Sequence, residues 1–263
     1  MASSGNAYPA IQLNYGYING LVPKILGDTS IGISAGQCRD FNNVMDMALG
    51  LPNIQSQSSP FPIIIDTNKI GVNGLDEGFL NQDMMYSVYV IGDSSYKNPT
   101  ACIASLQVNY SPKLPIGYDT YRLIGVFSTG EYIIEPMYIS GNSNLRIFTY
   151  QDPQFLVGEF NQTDSTEVLL GGQIPFDQGG VFVNISMSLT PDTAEDRLKI
   201  DSAVYTYYDT GVIGQYSGVP ITNRVGLLSL PSVNESNTMA IAARVTSSDD
   251  SASIYLESFE FSV

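Results

Sequence analysis

"VFVNISMSL", residues Val181–Leu189, is the stretch that decides the fold class. Five apolar residues recur there at every second position: Val181, Val183, Ile185, Met187 and Leu189. Polar residues fill three of the positions between them, at Asn184, Ser186 and Ser188. A period of two is typical of a β-strand that buries one face and exposes the other. The stretch therefore predicts a half-buried strand.

The same alternation occurs in "ASLQVNY" (residues 104–110) and "MAIAARV" (residues 239–245). In "IYLESFEFSV", residues 254–263, the apolar positions change phase between Leu256 and Phe259. An extra residue in one strand produces such a change, so the sequence predicts a β-bulge there.

Further strands are predicted where short apolar runs lie between turn residues. These runs are SIGISAG (30–36), FPIIID (61–66), SVYVIG (87–92), RLIGVFS (122–128), QFLVGE (154–159) and AVYTYY (203–208). Turn pairs such as Asn19-Gly20 and Asn73-Gly74 separate them. Residues 41–49 fit either a helix or a strand, because Met45, Met47 and Leu49 alternate. No series of long helices interrupts the strands, which excludes Rossmann and TIM architectures.

The predicted fold is all-β, with three segments. Residues 1–12 are predicted to be a flexible arm that orders on a partner. Residues 13–143 are predicted to form an N-terminal antiparallel β domain that docks or oligomerises. Residues 144–263 are predicted to form a C-terminal β-sandwich with jelly-roll or Greek-key connections.

Charge excludes several function classes. The chain of 263 residues carries 26 acidic and 11 basic residues, a net charge of −15. Nucleic-acid binding depends on Lys and Arg that neutralise phosphates, so we expect no nucleic-acid partner. No apolar run approaches the roughly 20 residues of a membrane span, so we expect no membrane insertion. The first residues lack the basic and apolar regions of a secretory signal.

The two cysteines, Cys38 and Cys102, are too few for a disulfide framework. Both lie in apolar segments, so we expect buried free thiols in a chain made in a reducing cytosol.

One catalytic motif is present by pattern. Residues Gly32–Gly36 read G-x-S-x-G, the nucleophile-elbow pattern, with Ser34 at its centre. That chemistry needs a following helix and a histidine, and the chain has no histidine. We therefore interpret Ser34 as a strand residue beside a turn, and we predict that the chain is not an enzyme.

Carboxylates are the remaining side chains that could catalyse a reaction or bind a metal ion. A pair of acids can cleave glycosides, but the aromatic sugar platforms of such sites are often Trp, which is absent here. The acidic loops Asp192–Asp196 and Asp249-Asp250 offer oxygen ligands for calcium without the usual spacing. We interpret both as solvated loops and predict no metal and no cofactor.

The segment "LPIGYDTYRLIGVFSTG", residues 114–130, combines a turn with a strand. Pro115 and Gly117 predict the turn, because proline fixes φ and glycine accepts a positive φ. Gly125 inside the strand predicts a bulge or a close backbone approach. Arg122 is expected to pair with a carboxylate, and nothing in the segment would hold a phosphate.

That segment also resembles virion proteins of tailed bacteriophages, which are tail-fibre, head-fibre or appendage proteins. Other segments match the family in the same order: GYINGL (16–21), ISAGQCRD (33–40), NGLDEG (73–78) and YSVYVIG (86–92). The matches span about residues 14–130, and residues 145–263 match only loosely. Where the family often has Trp and His, this chain has Met85 and Ser87.

The resemblance implies a non-enzymatic structural protein of a phage particle, in the virion after assembly in the host bacterial cytoplasm. Its implied partners are copies of itself, expected as a homotrimer, and other capsid or tail proteins. Capsid decoration and a tail fibre are both compatible with this expectation. The main alternative is a β-sandwich that binds a host surface glycan. A glycoside-cleaving fibre and a secreted adhesion module are two further alternatives.

Overall fold

The fold is all-β, as predicted. The computed structural model describes residues 16–50, 60–106, 111–141, 145–164, 166–169, 181–190, 198–203, 221–227, 240–245, 247–249 and 251–262. Within these ranges there are seventeen β-strands and no helix, and hence no helix that could span a membrane. The predicted arm, residues 1–12, lies outside the described residues.

Nine strands in the first half form three antiparallel sheets. The strands are β1 (Ile18–Gly20), β2 (Pro23–Gly27), β3 (Ser30–Ile33), β4 (Gly36–Arg39), β5 (Asp46–Leu49), β6 (Ile63–Asp66), β7 (Met85–Gly92), β8 (Ala101–Leu106) and β9 (Thr120–Ser128). The sheets have the strand orders β1-β4-β5, β2-β3-β6 and β8-β7-β9.

The remaining eight strands form two further sheets. They are β10 (Met137–Ser140), β11 (Leu145–Phe160), β12 (Thr166–Leu169), β13 (Val181–Thr190), β14 (Leu198–Ala203), β15 (Ile221–Leu227), β16 (Ala240–Val245) and β17 (Ser251–Ser262). Five strands pair in the order β10-β11-β17-β13-β15, and three pair as β12-β16-β14. Strand β10 precedes the predicted boundary at residue 143 and pairs with β11 after it. The division into two domains and the sandwich wiring stay predictions.

The alternating segments are strands wherever they are described. Val183 and Ile185 of β13 are buried, as their alternation predicts. The predicted bulge is confirmed in β17, because Leu256 pairs with Ile185 while Ser258 pairs with the adjacent Asn184. Glu257 is thus the extra residue. Residues 107–110 and 204–208 of two predicted strands lie outside the described residues.

Residues 41–49 contain a strand, so the helix alternative is wrong. Strand β5 pairs with β4, and Met45, Met47 and Leu49 are all buried. Their spacing of two places all three on the core face, which a helix would not do.

The turn and strand of residues 114–130 are confirmed. The Tyr118 N–H donates to the Pro115 carbonyl at 3.1 Å, and Gly117 has a φ of 91°. Strand β9 then pairs with β7 through a bulge, because Gly125 faces Val88 while Leu123 faces Tyr89. A Cβ on Gly125 would also lie 2.9 Å from the Pro23 Cγ. Both reasons predicted for a glycine at this position therefore apply.

One hydrophobic core joins the two halves of the chain. A single cluster of buried side chains extends from Ile18 and Val88 in the first half to Ile185 and Phe259 in the second. In the part of the core built by the second half of the chain, the rings of Phe148 and Phe259 stack with centroids 5.0 Å apart. Burial of this continuous apolar surface is the main stabilising contribution to the fold.

The sheet β8-β7-β9 is covered on both faces. One face contributes Val88 and Val90 to the main core, while Tyr89 and Ile91 form a second cluster on the other face. Residues between β8 and β9, including Tyr118, cover that second cluster. All eight residues of β7 are consequently buried.

Candidate functional site

Ser34, at the centre of the G-x-S-x-G pattern, lies in the link between β3 and β4, so its assignment to a strand is wrong. Its hydroxyl oxygen accepts a hydrogen bond from the Val22 N–H at 2.8 Å, and its O–H points to the Ala35 carbonyl at 3.4 Å. A strand follows this serine, where a nucleophile elbow needs a helix. The Ser34 side chain therefore joins the link between β3 and β4 to the backbone at Val22, between β1 and β2.

Cys38 and Cys102 are both free and fully buried, as predicted. Burial raises the pKa of the Cys38 thiol to about 12, and burial also raises the pKa of Cys102 well above its usual range. Since the thiolate is the reactive form, both thiols are inert in the folded chain.

The acidic loops do not assemble a site in the described part of the chain. Asp192–Asp196 and Asp250 lie outside the described residues, and Asp249 is exposed. Across the described ranges, no group of three or more His, Cys, Asp or Glu side chains could hold a metal ion.

Asp40 is a buried carboxylate that organises a turn. One oxygen accepts hydrogen bonds from the Val44 and Met45 N–H groups at 2.6 and 2.8 Å, and the other accepts from the Thr120 hydroxyl at 2.7 Å. Burial acts to raise the pKa of Asp40, but these hydrogen bonds outweigh it and the pKa is lowered. The side chain has its partners and acts structurally.

Asp93 does the same at the far end of β7. Its carboxylate accepts hydrogen bonds from Ser95, Lys97 and Asn98, including both the side chain and the N–H of Asn98. The Ser95 hydroxyl is the largest cause of a pKa held far below the usual range. Asp93 therefore fixes the loop that leads towards β8.

Two arginines hold the chain around β1. Arg122 donates from Nη2 to the Gly16 carbonyl at 2.9 Å. Burial lowers the pKa of Arg122, and the nearby Asp40 carboxylate acts in the opposite direction. Arg146 is fully buried and donates from Nη2 to the Gly20 carbonyl at 2.7 Å and from Nη1 to the Gly141 carbonyl. Burial lowers the pKa of Arg146 to about 10. These contacts hold the backbone at Gly16 and Gly20.

A set of exposed apolar side chains on two neighbouring loops, which we call the apolar end, offers a surface to a partner. It consists of Phe79, Met84, Tyr132 and Ile133, whose exposed fractions are 71%, 42%, 60% and 40%. They lie on two loops, one leading into β7 and one following β9. Large exposed apolar side chains on adjoining loops are a common feature of interaction surfaces.

Thr129 holds the two loops of the apolar end together. Its hydroxyl donates to the Asn81 carbonyl at 2.5 Å and accepts from the Met84 N–H at 3.1 Å. The Thr129 N–H donates to the Met84 carbonyl at 2.9 Å. Tyr86 adds a further tie, because its hydroxyl donates to the Phe79 carbonyl at 3.1 Å. The exposed side chains are therefore presented on a hydrogen-bonded base.

The same loops contain two residues in the left-handed region of backbone conformation. Asp83 has a φ of 52° and Tyr132 a φ of 65°. This conformation is unfavourable for a bulky side chain such as Tyr, and such residues cluster at binding and switch sites.

The loops of the apolar end carry carboxylates. Burial raises the pKa of Glu135, and the carboxylates of Asp83 and Asp152 raise it further. Glu131 is exposed on the same loop. The sequence contains no Lys or Arg in residues 70–96 or 123–145, so the chain segments that build this surface contribute only negative charge.

Sequence reasoning missed the apolar end. Phe79 and Met84 look like ordinary core residues in the sequence, and their exposure depends on contacts with Thr129, more than forty residues away. The only local signal was the run of turn residues on either side of Phe79 and Tyr132.

Comparison with known proteins finds no matching protein family, no matching curated protein and no matching solved structure.

Proposed function

We propose that this chain is a non-enzymatic structural component of a phage particle, a fibre, tail or capsid-decorating protein. It acts by self-association, as a homotrimer, and by docking to other virion proteins. The observation that carries the proposal is the apolar end, where Phe79 and Tyr132 stand exposed on loops that Thr129 and Tyr86 hold in place. The resemblance of residues 14–130 to phage virion proteins is the reason for proposing that the particle is a phage.

Energetics favours association through this surface. An exposed aromatic side chain such as Phe79 gains free energy when it is removed from water. Aromatic residues and Met are also enriched in protein interfaces, where a few such residues contribute most of the binding energy. The hydrogen-bonded base reduces the ordering cost of binding, because the loops are already held in one arrangement.

Sedimentation of the full-length chain across a range of concentrations tests the proposal. We expect an assembly with three times the mass of one chain at micromolar concentration. If the mass stays at that of one chain up to about 100 μM, any self-association is weaker than in most specific protein complexes. That result would contradict the proposed self-association.

Location in a particle needs its own experiment. We expect antibodies raised against the chain to label particles released by bacteria that carry its gene, in regular positions seen by electron microscopy. Particles that carry no label, with all of the chain in the unassembled fraction, would overturn a virion role while leaving self-association intact.

A further inference from the structure

We propose that residues 1–15 of one copy bind the apolar end of the next copy, so that the chains associate head to tail. This inference rests on the proposed function, because it names the partner segment through which self-association occurs.

The charge of residues 1–15 is compatible with this contact. The chain as a whole carries −15, and the loops of the apolar end carry the carboxylates of Asp83, Glu131 and Glu135. Most of the acidic surface of a second copy would be repelled from this position. Residues 1–15, "MASSGNAYPAIQLNY", contain no Asp, Glu, Lys or Arg. This segment can therefore approach a negatively charged surface without like-charge repulsion.

The segment also has apolar residues to bury. Besides Met1, it carries apolar side chains at Tyr8, Pro9, Ile11, Leu13 and Tyr15. An uncharged segment with this content matches a surface made of two aromatic and two aliphatic side chains, because the gain comes from apolar area removed from water.

The attachment point and the apolar end lie towards opposite ends of the sheet β8-β7-β9. Arg122 of β9 donates to the Gly16 carbonyl and pairs with Val90 near one end of β7. Met85, at the other end of β7, directly follows Met84 of the apolar end. Five residue steps along the strand lead from Val90 to Met85, about 17 Å at 3.3 Å per residue. Fifteen residues can extend about 50 Å, three times this separation, which leaves length for a contact beyond the copy's own sheet.

This polarity determines the kind of assembly. A contact between two different surfaces of the same chain is heterologous, and it closes into a ring when the rotation between copies permits. Three copies related by a threefold axis would each give residues 1–15 to the next, which agrees with the proposed trimer.

Two full-length variants and a matched control test the contact. The segment variant carries Ile11→Asp and Leu13→Asp, and the apolar-end variant carries Phe79→Asp and Tyr132→Asp. The control carries Tyr96→Asp and Ile116→Asp, which are exposed at the opposite end of β7 and include an aromatic residue with φ of 56°. Circular dichroism and thermal melting of each variant check that it is folded.

We expect both variants to sediment as single chains under conditions where the natural chain and the control form the larger assembly. An equimolar mixture of the two variants should give a complex of two chains, since it restores one contact only. A self-associating natural chain whose segment variant associates equally well would overturn this inference and leave the proposed function standing. The inference also fails if the mixture shows no complex, whereas a single-chain natural protein would contradict the proposed self-association itself.

Discussion

The two largest parts of the core are built in different ways. In the sheet β8-β7-β9 both faces are covered, and buried polar groups such as Asp40 and Asp93 fix the loops around it. In the five-stranded sheet, residues 145–150 of β11 alternate between exposed and buried positions, and aromatic stacking fills the buried side.

The difference teaches where each region gets its stability. The five-stranded sheet depends on side chains that remove large apolar areas from water, so loss of one ring should be costly. The three-stranded sheet also depends on carboxylates whose individual hydrogen bonds contribute less. Because one cluster of buried residues crosses both regions, they should nevertheless unfold together.

Phe259→Ala should have the largest effect. The Phe259 ring is fully buried, with the Phe148 centroid at 5.0 Å and the Tyr150 centroid at 6.0 Å. Its removal leaves a cavity, and the expected loss is about 3–5 kcal/mol of unfolding free energy. Denaturant unfolding followed by circular dichroism measures it.

Phe155→Ala is the matched control in the same sheet. The Phe155 ring is 58% exposed and meets Tyr255 edge-on, with centroids 5.5 Å apart. Its loss should cost about 1 kcal/mol or less. Equal losses from the two substitutions would show that burial in this sheet does not determine stability.

Thiol labelling tests whether the two regions open together. Both cysteines lie in the first half, buried in β4 and β8, while Phe259 lies in β17. If the core is one cooperative unit, Phe259→Ala should speed labelling of both cysteines by a thiol reagent at neutral pH. The expected increase is about 100- to 4,000-fold, because each 1.4 kcal/mol is a factor of ten. Phe155→Ala should give a far smaller increase, and an unchanged rate in Phe259→Ala would mean that the regions open independently.

The same difference explains what the sequence could predict. Where one face of a strand is buried, alternation is present, and it correctly predicted β13 and the bulge at Glu257 of β17. Where both faces are buried, as in β7, the pattern disappears and only the apolar run remains. The sixteen-residue β11 was predicted only over residues 154–159, because Pro153 lies within it at a break in register between Thr149 and Gln154.

The candidate site was beyond sequence reasoning for a related reason. Exposure of Phe79 and burial of Arg146 depend on partners distant in the chain. Thr129 holds the loop that carries Phe79, and Gly20 accepts a hydrogen bond from Arg146. Hydrophobic pattern assigns Phe to the core and Arg to the surface, and both assignments are reversed here.

Asp40→Ala should have an intermediate effect on the first region. It leaves the Val44 and Met45 N–H groups and the Thr120 hydroxyl without their acceptor, at a cost of about 1–3 kcal/mol. Asp40→Asn keeps an acceptor and should cost less at neutral pH.

Stability measurements at acid pH distinguish the contribution of the Asp40 charge from that of its shape. Because the folded pKa of Asp40 is lowered, its contribution is present above the ordinary aspartate pKa of about 3.9 and is lost as pH falls through the folded value. Asp40→Asn should therefore lose less stability than the natural chain between about pH 5 and pH 2. Asp249→Asn, at an exposed position, is the control for the loss of one carboxylate, and identical profiles for the natural chain and Asp40→Asn would exclude a role for the Asp40 charge.

Glu135→Gln should have the smallest effect, with the opposite sign. The folded pKa of Glu135 is raised by burial and by the carboxylates of Asp83 and Asp152, so its charged form opposes folding at neutral pH. Stability from this group is fully present below the ordinary glutamate pKa of about 4.3 and is lost as pH rises through the folded value. The substitution should thus stabilise the chain at pH 7 by about 0.5 kcal/mol or less, since solvent screens a half-exposed group, and the gain should vanish below about pH 4. Denaturant unfolding in a Phe79→Ser and Tyr132→Ser background removes any contribution from association without adding charge near Glu135, and a loss of stability at pH 7 would mean that Glu135, like Asp40, has hydrogen-bond partners that the fold needs.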